Sequence, residues 1–86
     1  MIPNLQIVWY KPNSIYQGLT IMYRADFEMF KAYVCANRQA DYYIVYIVGR
    51  FSGNMCYSSE IRGRGATESD ILYQAHKVVE RFKYNI

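Results

Sequence analysis

Residues 41–51 read Asp41-Tyr42-Tyr43-Ile44-Val45-Tyr46-Ile47-Val48-Gly49-Arg50-Phe51, and this run decides the fold. From Tyr42 to Val48 every side chain is β-branched or aromatic, which favours an extended backbone. The stretch is far too short to cross a bilayer, which takes roughly 18 apolar residues or more. It predicts a strand that is apolar on both faces. Ser52-Gly53-Asn54 follows as a turn, and Met55 to Arg62 reads as the returning strand of a hairpin. With a two-residue turn at Gly53-Asn54, Phe51 is expected on the side of Cys56, Gly49 on that of Ser58 and Ile47 on that of Glu60. Val48 then pairs with Ser59 and Tyr46 with Ile61. Met55, Tyr57 and Ile61 would take Tyr42, Ile44, Tyr46 and Val48 into the core. Tyr43, Val45, Ile47 and Phe51 would be left on a face flanked by polar residues, to be covered by a helix or by a partner chain.

Upstream, Leu5 to Tyr10 is rich in β-branched and aromatic residues and is closed by Lys11-Pro12-Asn13-Ser14, so it reads as a first strand. Residues 15–24 carry two patterns. Thr20, Ile21 and Tyr23 favour a strand over Leu19 to Arg24, while Ile15, Leu19, Met22 and Met29 fit a helical stripe; the strand is preferred. Asp26 is a good N-cap, Glu28 suits a first helical turn, and Phe27, Phe30, Tyr33 and Val34 recur at helical spacing, which predicts a helix over 27–38.

The last segment is the clearest helix. Thr67 is its N-cap and Asp70 a capping-box partner, Glu68 and Asp70 face the positive end, and Arg81 and Lys83 the negative end. Ile71, Leu72, Ala75, Val78, Val79 and Phe82 form one apolar stripe. The expected fold is therefore α+β: a small antiparallel sheet of three to four strands with two helices packed on it, in the order β-β-α-β-β-α, as a single domain over residues 1–86. Gly63-x-Gly65-x-Thr67, following a hairpin and leading into an alanine-containing amphipathic helix, resembles the tail of HicB-like antitoxin domains and other small sheet-plus-helix modules. The acidic, proline-bearing strand of that family is missing, so no residue role follows from the resemblance.

Composition narrows the chemistry. Ten Lys and Arg against seven Asp and Glu give a net charge of +3 over 86 residues, and 52% of positions are apolar, which excludes a disordered chain. Met1-Ile2-Pro3-Asn4 has no basic start or apolar stretch, so a cytoplasmic location is expected. The only histidine, His76, falls on the flank of the last helix near Glu80, where a surface role is the ordinary one. Nothing near Cys35 or Cys56 marks an activated thiol, and two cysteines with one histidine do not make a four-ligand zinc site. Walker, His-Glu-x-x-His and Gly-x-Ser-x-Gly motifs are absent from the sequence. Catalysis is not expected, and neither a metal nor another cofactor is implied.

Two binding readings remain. Arg62-Gly63-Arg64-Gly65 leads into a helix N-terminus, where backbone N–H groups and two guanidinium groups suit an anion. Arg50, Arg62 and Arg64, with tyrosines as stacking platforms, would serve single-stranded nucleic acid, although residues 42–67 hold only these three arginines against Glu60. The leading reading comes from the tyrosines. Ten Tyr, four Phe and Trp9 make 17% of the chain aromatic, and too many hydroxyls need partners for all to lie in a small core. This predicts an interaction protein that binds and modulates a protein partner through Tyr43, Val45, Ile47, Phe51 and Tyr57, by analogy with small phage-encoded inhibitors and host-takeover proteins. A symmetric dimer burying the same face is the alternative way to close it.

Overall fold

Three neighbouring eight-residue strands carry the fold: β3 (Phe30–Asn37), β4 (Tyr42–Gly49) and β5 (Met55–Arg62). Before them come β1 (Ile15–Tyr16) and β2 (Leu19–Asp26), and after them a single helix, α1 (Glu68–Tyr84). The computed structural model describes residues 6–37 and 41–84. Met1 to Asn4, Leu5 and the Arg38 end of the predicted first helix lie outside the described residues. The strands form one antiparallel sheet in the order β1-β2-β3-β4-β5, a meander in which each strand pairs with its sequence neighbours.

The predicted helix over 27–38 is instead strand β3. Phe27 and Phe30 close a tight turn, the Phe27 N–H donating to the Phe30 carbonyl at 2.9 Å, and Asp26 pairs across it with Lys31 rather than capping a helix. Phe30, Ala32 and Val34 point to one side of the sheet and Tyr33 and Cys35 to the other, all of them buried. A central strand apolar on both faces satisfies a helical stripe by accident, because any spacing of three or four also finds an apolar residue. The fold is thus a five-stranded antiparallel sheet with one C-terminal helix, not a sheet of three to four strands with two helices packed on it in the order β-β-α-β-β-α. Likewise, the predicted first strand is irregular backbone over the described residues 6–9, with only an isolated bridge from Tyr10 to Arg24. Trp9 and Ile7 nonetheless pack on the core.

α1 lies across β4 and β5 and buries Ile71, Ala75 and Val79 against Tyr23, Val34, Val45, Ile47 and Ile61. Its N-terminus carries the full capping box, with Asp70 N–H donating to Thr67 Oγ1 at 3.2 Å and Thr67 N–H donating to Asp70 Oδ2 at 3.1 Å. On the opposite face Ile21, Tyr33, Cys35 and Val48 form a second cluster, roofed by Tyr16 and Leu19 from the β1–β2 turn. Tyr16 meets the Tyr33 and Tyr46 rings at centroid distances of 5.1 and 5.0 Å. A register shift between Ile21 and Tyr23 sends these two residues to different faces, although they are only two apart. The hairpin β4–β5 also departs from the expected register. Ile47 pairs with Tyr57, Tyr46 with Ser58 and Tyr43 with Ile61, and a shift beyond Ile47 sets Val48 opposite Met55. The partner of Ile47 moves by three residues, an odd number, so β4 turns over.

Candidate partner-binding surface

That reversal decides which sequence-predicted site residues are accessible. Val45 and Ile47 are both 0% exposed, sealed between the sheet and α1, so they are core residues and present no surface to a partner. Tyr43 is half-buried against the same core. Phe51 and Tyr57 remain outside, at 80% and 46% exposure. The β4 face that does look away from the helix carries Tyr42, Ile44 and Tyr46, all half-buried.

The loop that displays Phe51 is tightly built. Gly49 N–H donates to the Asn54 carbonyl at 2.9 Å, Gly53 N–H to the Gly49 carbonyl at 3.0 Å and Asn54 N–H to Ser52 Oγ at 3.2 Å. Gly53 has φ +72, a left-handed conformation that favours glycine. Arg50 fastens this loop to the β2–β3 turn: its N–H donates to the Met29 carbonyl at 3.1 Å, and its guanidinium donates to the Phe27 carbonyl at 3.3 Å and approaches the Glu28 carbonyl at 3.5 Å. The guanidinium carbon also sits 5.6 Å from the Phe51 ring centre. Arg50 is therefore a brace between two turns, with its backbone N–H and its Nη1 directed at carbonyls of the β2–β3 turn.

Around this brace the end of the sheet is apolar and open. Met29, Phe51, Met55 and Tyr57 are all exposed at this end of the sheet, and a series of ring contacts reaches Tyr57. Phe27 stacks on Phe30 at 4.6 Å, Phe30 meets Phe82 edge-on at 5.2 Å, and Phe82 lies 6.2 Å from Tyr57. Glu28, Met29, Phe30 and Lys83 line a hollow of about 350 Å³ there. Sequence reasoning missed Met29 and Met55. In the sequence Met29 fits only the helical stripe passed over for the strand at Leu19 to Arg24, and Met55 reads as a core-facing residue of the hairpin, whereas both are exposed.

The predicted anion-binding residues fall at the other end. Arg62 pairs with Tyr42 at the start of β4, whereas Arg50 follows its last residue, so the two are separated by the length of the strand, about 23 Å at 3.3 Å per residue. The three arginines do not converge. Gly63 is packed against Tyr43 and donates its N–H to the Asp41 carbonyl at 3.2 Å, and Gly65 has φ +72 with open space around it. Asp41, Tyr42, Glu60, Arg62 and Arg64 line a shallow cleft at this end. At the neighbouring helix N-terminus the Asp70 carboxylate accepts from the Thr67 N–H and offsets part of the positive field that an anion would seek.

Reactive groups are dispersed. Cys35 is fully buried on the sheet face away from α1, and burial pushes its thiol up to about 11. Cys56 is exposed, with its thiol 3.6 Å from the Asn54 carbonyl. His76 lies 3.3 Å from Glu80 on α1. Among the described residues no three His, Cys, Asp or Glu side chains stand together as a metal site, and no helix is long and apolar enough to cross a membrane.

No protein-family model, no curated protein and no solved structure matches the chain. None of these comparisons supports the resemblance of the Gly63-to-Thr67 segment to HicB-like antitoxin domains.

Proposed function

We propose that this chain is a non-catalytic interaction module that modulates a protein partner by occupying part of its surface, with the β4–β5 hairpin tip as the anchor. The observation that carries the reading is Phe51, a large aromatic side chain 80% exposed on a loop held by hydrogen bonds from both sides. Single exposed apolar residues are ordinary, but Met29, Phe51, Met55 and Tyr57 gather at one end of the sheet. Aromatic and methionine side chains are enriched in interfaces, and a loop fixed before binding has little ordering entropy left to lose. The free thiols Cys35 and Cys56 suit a reducing compartment such as the cytoplasm.

The test is affinity capture from a candidate host lysate with the parent protein, with Phe51→Ala/Tyr57→Ala, and with Tyr73→Ala, which removes an exposed ring from α1. Capture of one protein by the parent and by Tyr73→Ala, and its loss in the folded double variant, is the expected result. Undiminished capture by the folded double variant overturns the proposal.

A further inference from the structure

The two edges of the sheet are unlike. β1, at one edge, is two residues long and turns straight back on itself. β5, at the other, runs for eight residues, six of them exposed. Natural edges are usually guarded by shortness, proline, lysine or bulges. β5 has neither proline nor lysine, and its register shift lies near its start, leaving the run from Tyr57 to Arg62 in unbroken pairing with β4. Among the described residues its outer backbone groups face no other strand.

We propose that this edge takes up an extended, acidic segment of the partner protein as a sixth strand. The inference rests on the partner-binding reading above and names the partner's chemistry. Charge is what points to it. Gln74 Nε2 donates to the Arg62 carbonyl at 3.4 Å, which sets that flank of α1 beside β5. Steps of three and seven residues from Gln74 bring Lys77 and Arg81 onto the same flank. Arg62, Arg64, Lys77 and Arg81 are all exposed and make no ion pair among the described residues. Against them stand Glu60 and Asp70, and Asp70 is committed to the capping box. An incoming strand would alternate its side chains between Tyr57, Ser59 and Ile61 on the helix side and Ser58, Glu60 and Arg62 on the other.

Other occupants fit less well. Nucleic acid has no alternating N–H and C=O groups with which to pair a strand edge. A second copy paired through β5 into one continuous sheet would bring the Lys77 and Arg81 flank of α1 against the same flank of its mate, like charge against like.

A short peptide alternating Glu with Val and Tyr, its counterpart with Lys in place of Glu, and oligothymidine are titrated by fluorescence anisotropy at low salt. Two further Glu peptides carry N-methyl groups on alternate residues, one in each parity. The Glu peptide is expected to bind about tenfold or more tighter than the Lys peptide, a difference near 1.4 kcal/mol. One methylation parity should abolish binding and the other leave it, and alternate β5 amides should exchange more slowly in the complex. Absence of saturable binding by the Glu peptide, equal loss in both parities, or preference for oligothymidine overturns the proposal. So does self-association that protects the same β5 amides without peptide. If the captured partner is lost on Phe51→Ala/Tyr57→Ala while β5 pairs with no peptide, strand addition fails and the hairpin-tip reading stands. The converse pattern removes the hairpin tip and keeps the edge.

Discussion

Gly63 stands against the edge of the Tyr43 ring, so that a β-carbon there would lie 2.5 Å from Tyr43 Cε2 and 2.6 Å from Cδ2. The ring is held by the core on the helix side and cannot swing away freely. Gly63→Ala is therefore expected to destabilise the fold by about 1–3 kcal/mol, the usual cost of overpacking. The cost should shrink in a Tyr43→Ala background, where the clash has gone. Denaturant midpoints of both singles and the double, at constant slope, measure the coupling.

Two buried acids tie stability to alkaline pH. Burial, and then a hydrogen bond to Glu68, raise Tyr23 from 10.0 to about 12, and burial raises Cys35 from 9.0 to about 11. Both groups hold their protons more tightly when folded. Their contribution is complete below the unfolded values and is lost as pH climbs from 9 to 11 for Cys35 and from 10 to 12 for Tyr23. Each shift corresponds to about 2–3 kcal/mol. Unfolding free energy measured against pH should fall through this window, and Tyr23→Phe should flatten the fall above pH 10.

The parts of this fold legible in the sequence are those where local chemistry and tertiary packing agree. Tyr42–Val48 is an unbroken β-branched and aromatic run followed by a turn and a returning strand, and Thr67, Asp70 and the Ile71-to-Phe82 stripe specify α1 from its cap onward. Phe30–Asn37 was not legible because a strand buried on both faces has no period of its own, and Asp26 with Glu28 imitated a helix start. The site was half legible for a geometric reason. Phe51 is exposed, and so are Met55 and Tyr57, which the two-residue turn would set toward the core, while Val45 and Ile47 are core, because the tip between Val48 and Met55 is longer than two residues and a register shift follows it. An odd slip in register exchanges the two faces of a strand completely.

Thiol chemistry should separate the two cysteines. Cys56 is exposed on β5, whereas Cys35 has no accessible surface and a thiol raised toward 11. In the native protein at neutral pH a thiol reagent is expected to modify Cys56 alone, with Cys35 following only on unfolding. Peptide mapping after timed alkylation checks this, and fast modification of Cys35 would contradict its placement under Tyr16 and Leu19.

The β1–β2 turn has a residue to spare for improvement. Gln17 at φ 54 and Gly18 at φ 77 are both left-handed, the arrangement of a two-residue type I′ turn, in which Asn-Gly is the favoured pair. Gln17→Asn or Gln17→Gly should stabilise the protein by up to about 1 kcal/mol, and Gly18→Ala should cost a similar amount. Because this turn holds Tyr16 over Tyr33 and Tyr46, the Gly18→Ala variant should also raise amide exchange along the Cys35 face of β3.

The face assignment of β4 is open to a direct comparison between Ile47 and Phe51, which the two-residue turn would place on one side. Ile47 has no accessible surface and packs with Phe30, Ala32 and Val79, so Ile47→Ala removes buried methyl and methylene groups and leaves a cavity, at a cost of about 2–5 kcal/mol. Phe51 is 80% exposed, with the Arg50 guanidinium carbon 5.6 Å from its ring centre and that guanidinium itself bonded to carbonyls of the β2–β3 turn. Phe51→Ala and even Phe51→Glu should therefore change stability by less than about 0.5 kcal/mol. Equilibrium unfolding of the three variants decides the matter. A large loss in Phe51→Glu would make the hairpin tip part of the core and remove it as a binding surface, whereas a silent Phe51→Glu beside a costly Ile47→Ala fixes Ile47 under α1 and leaves Phe51 free for a partner.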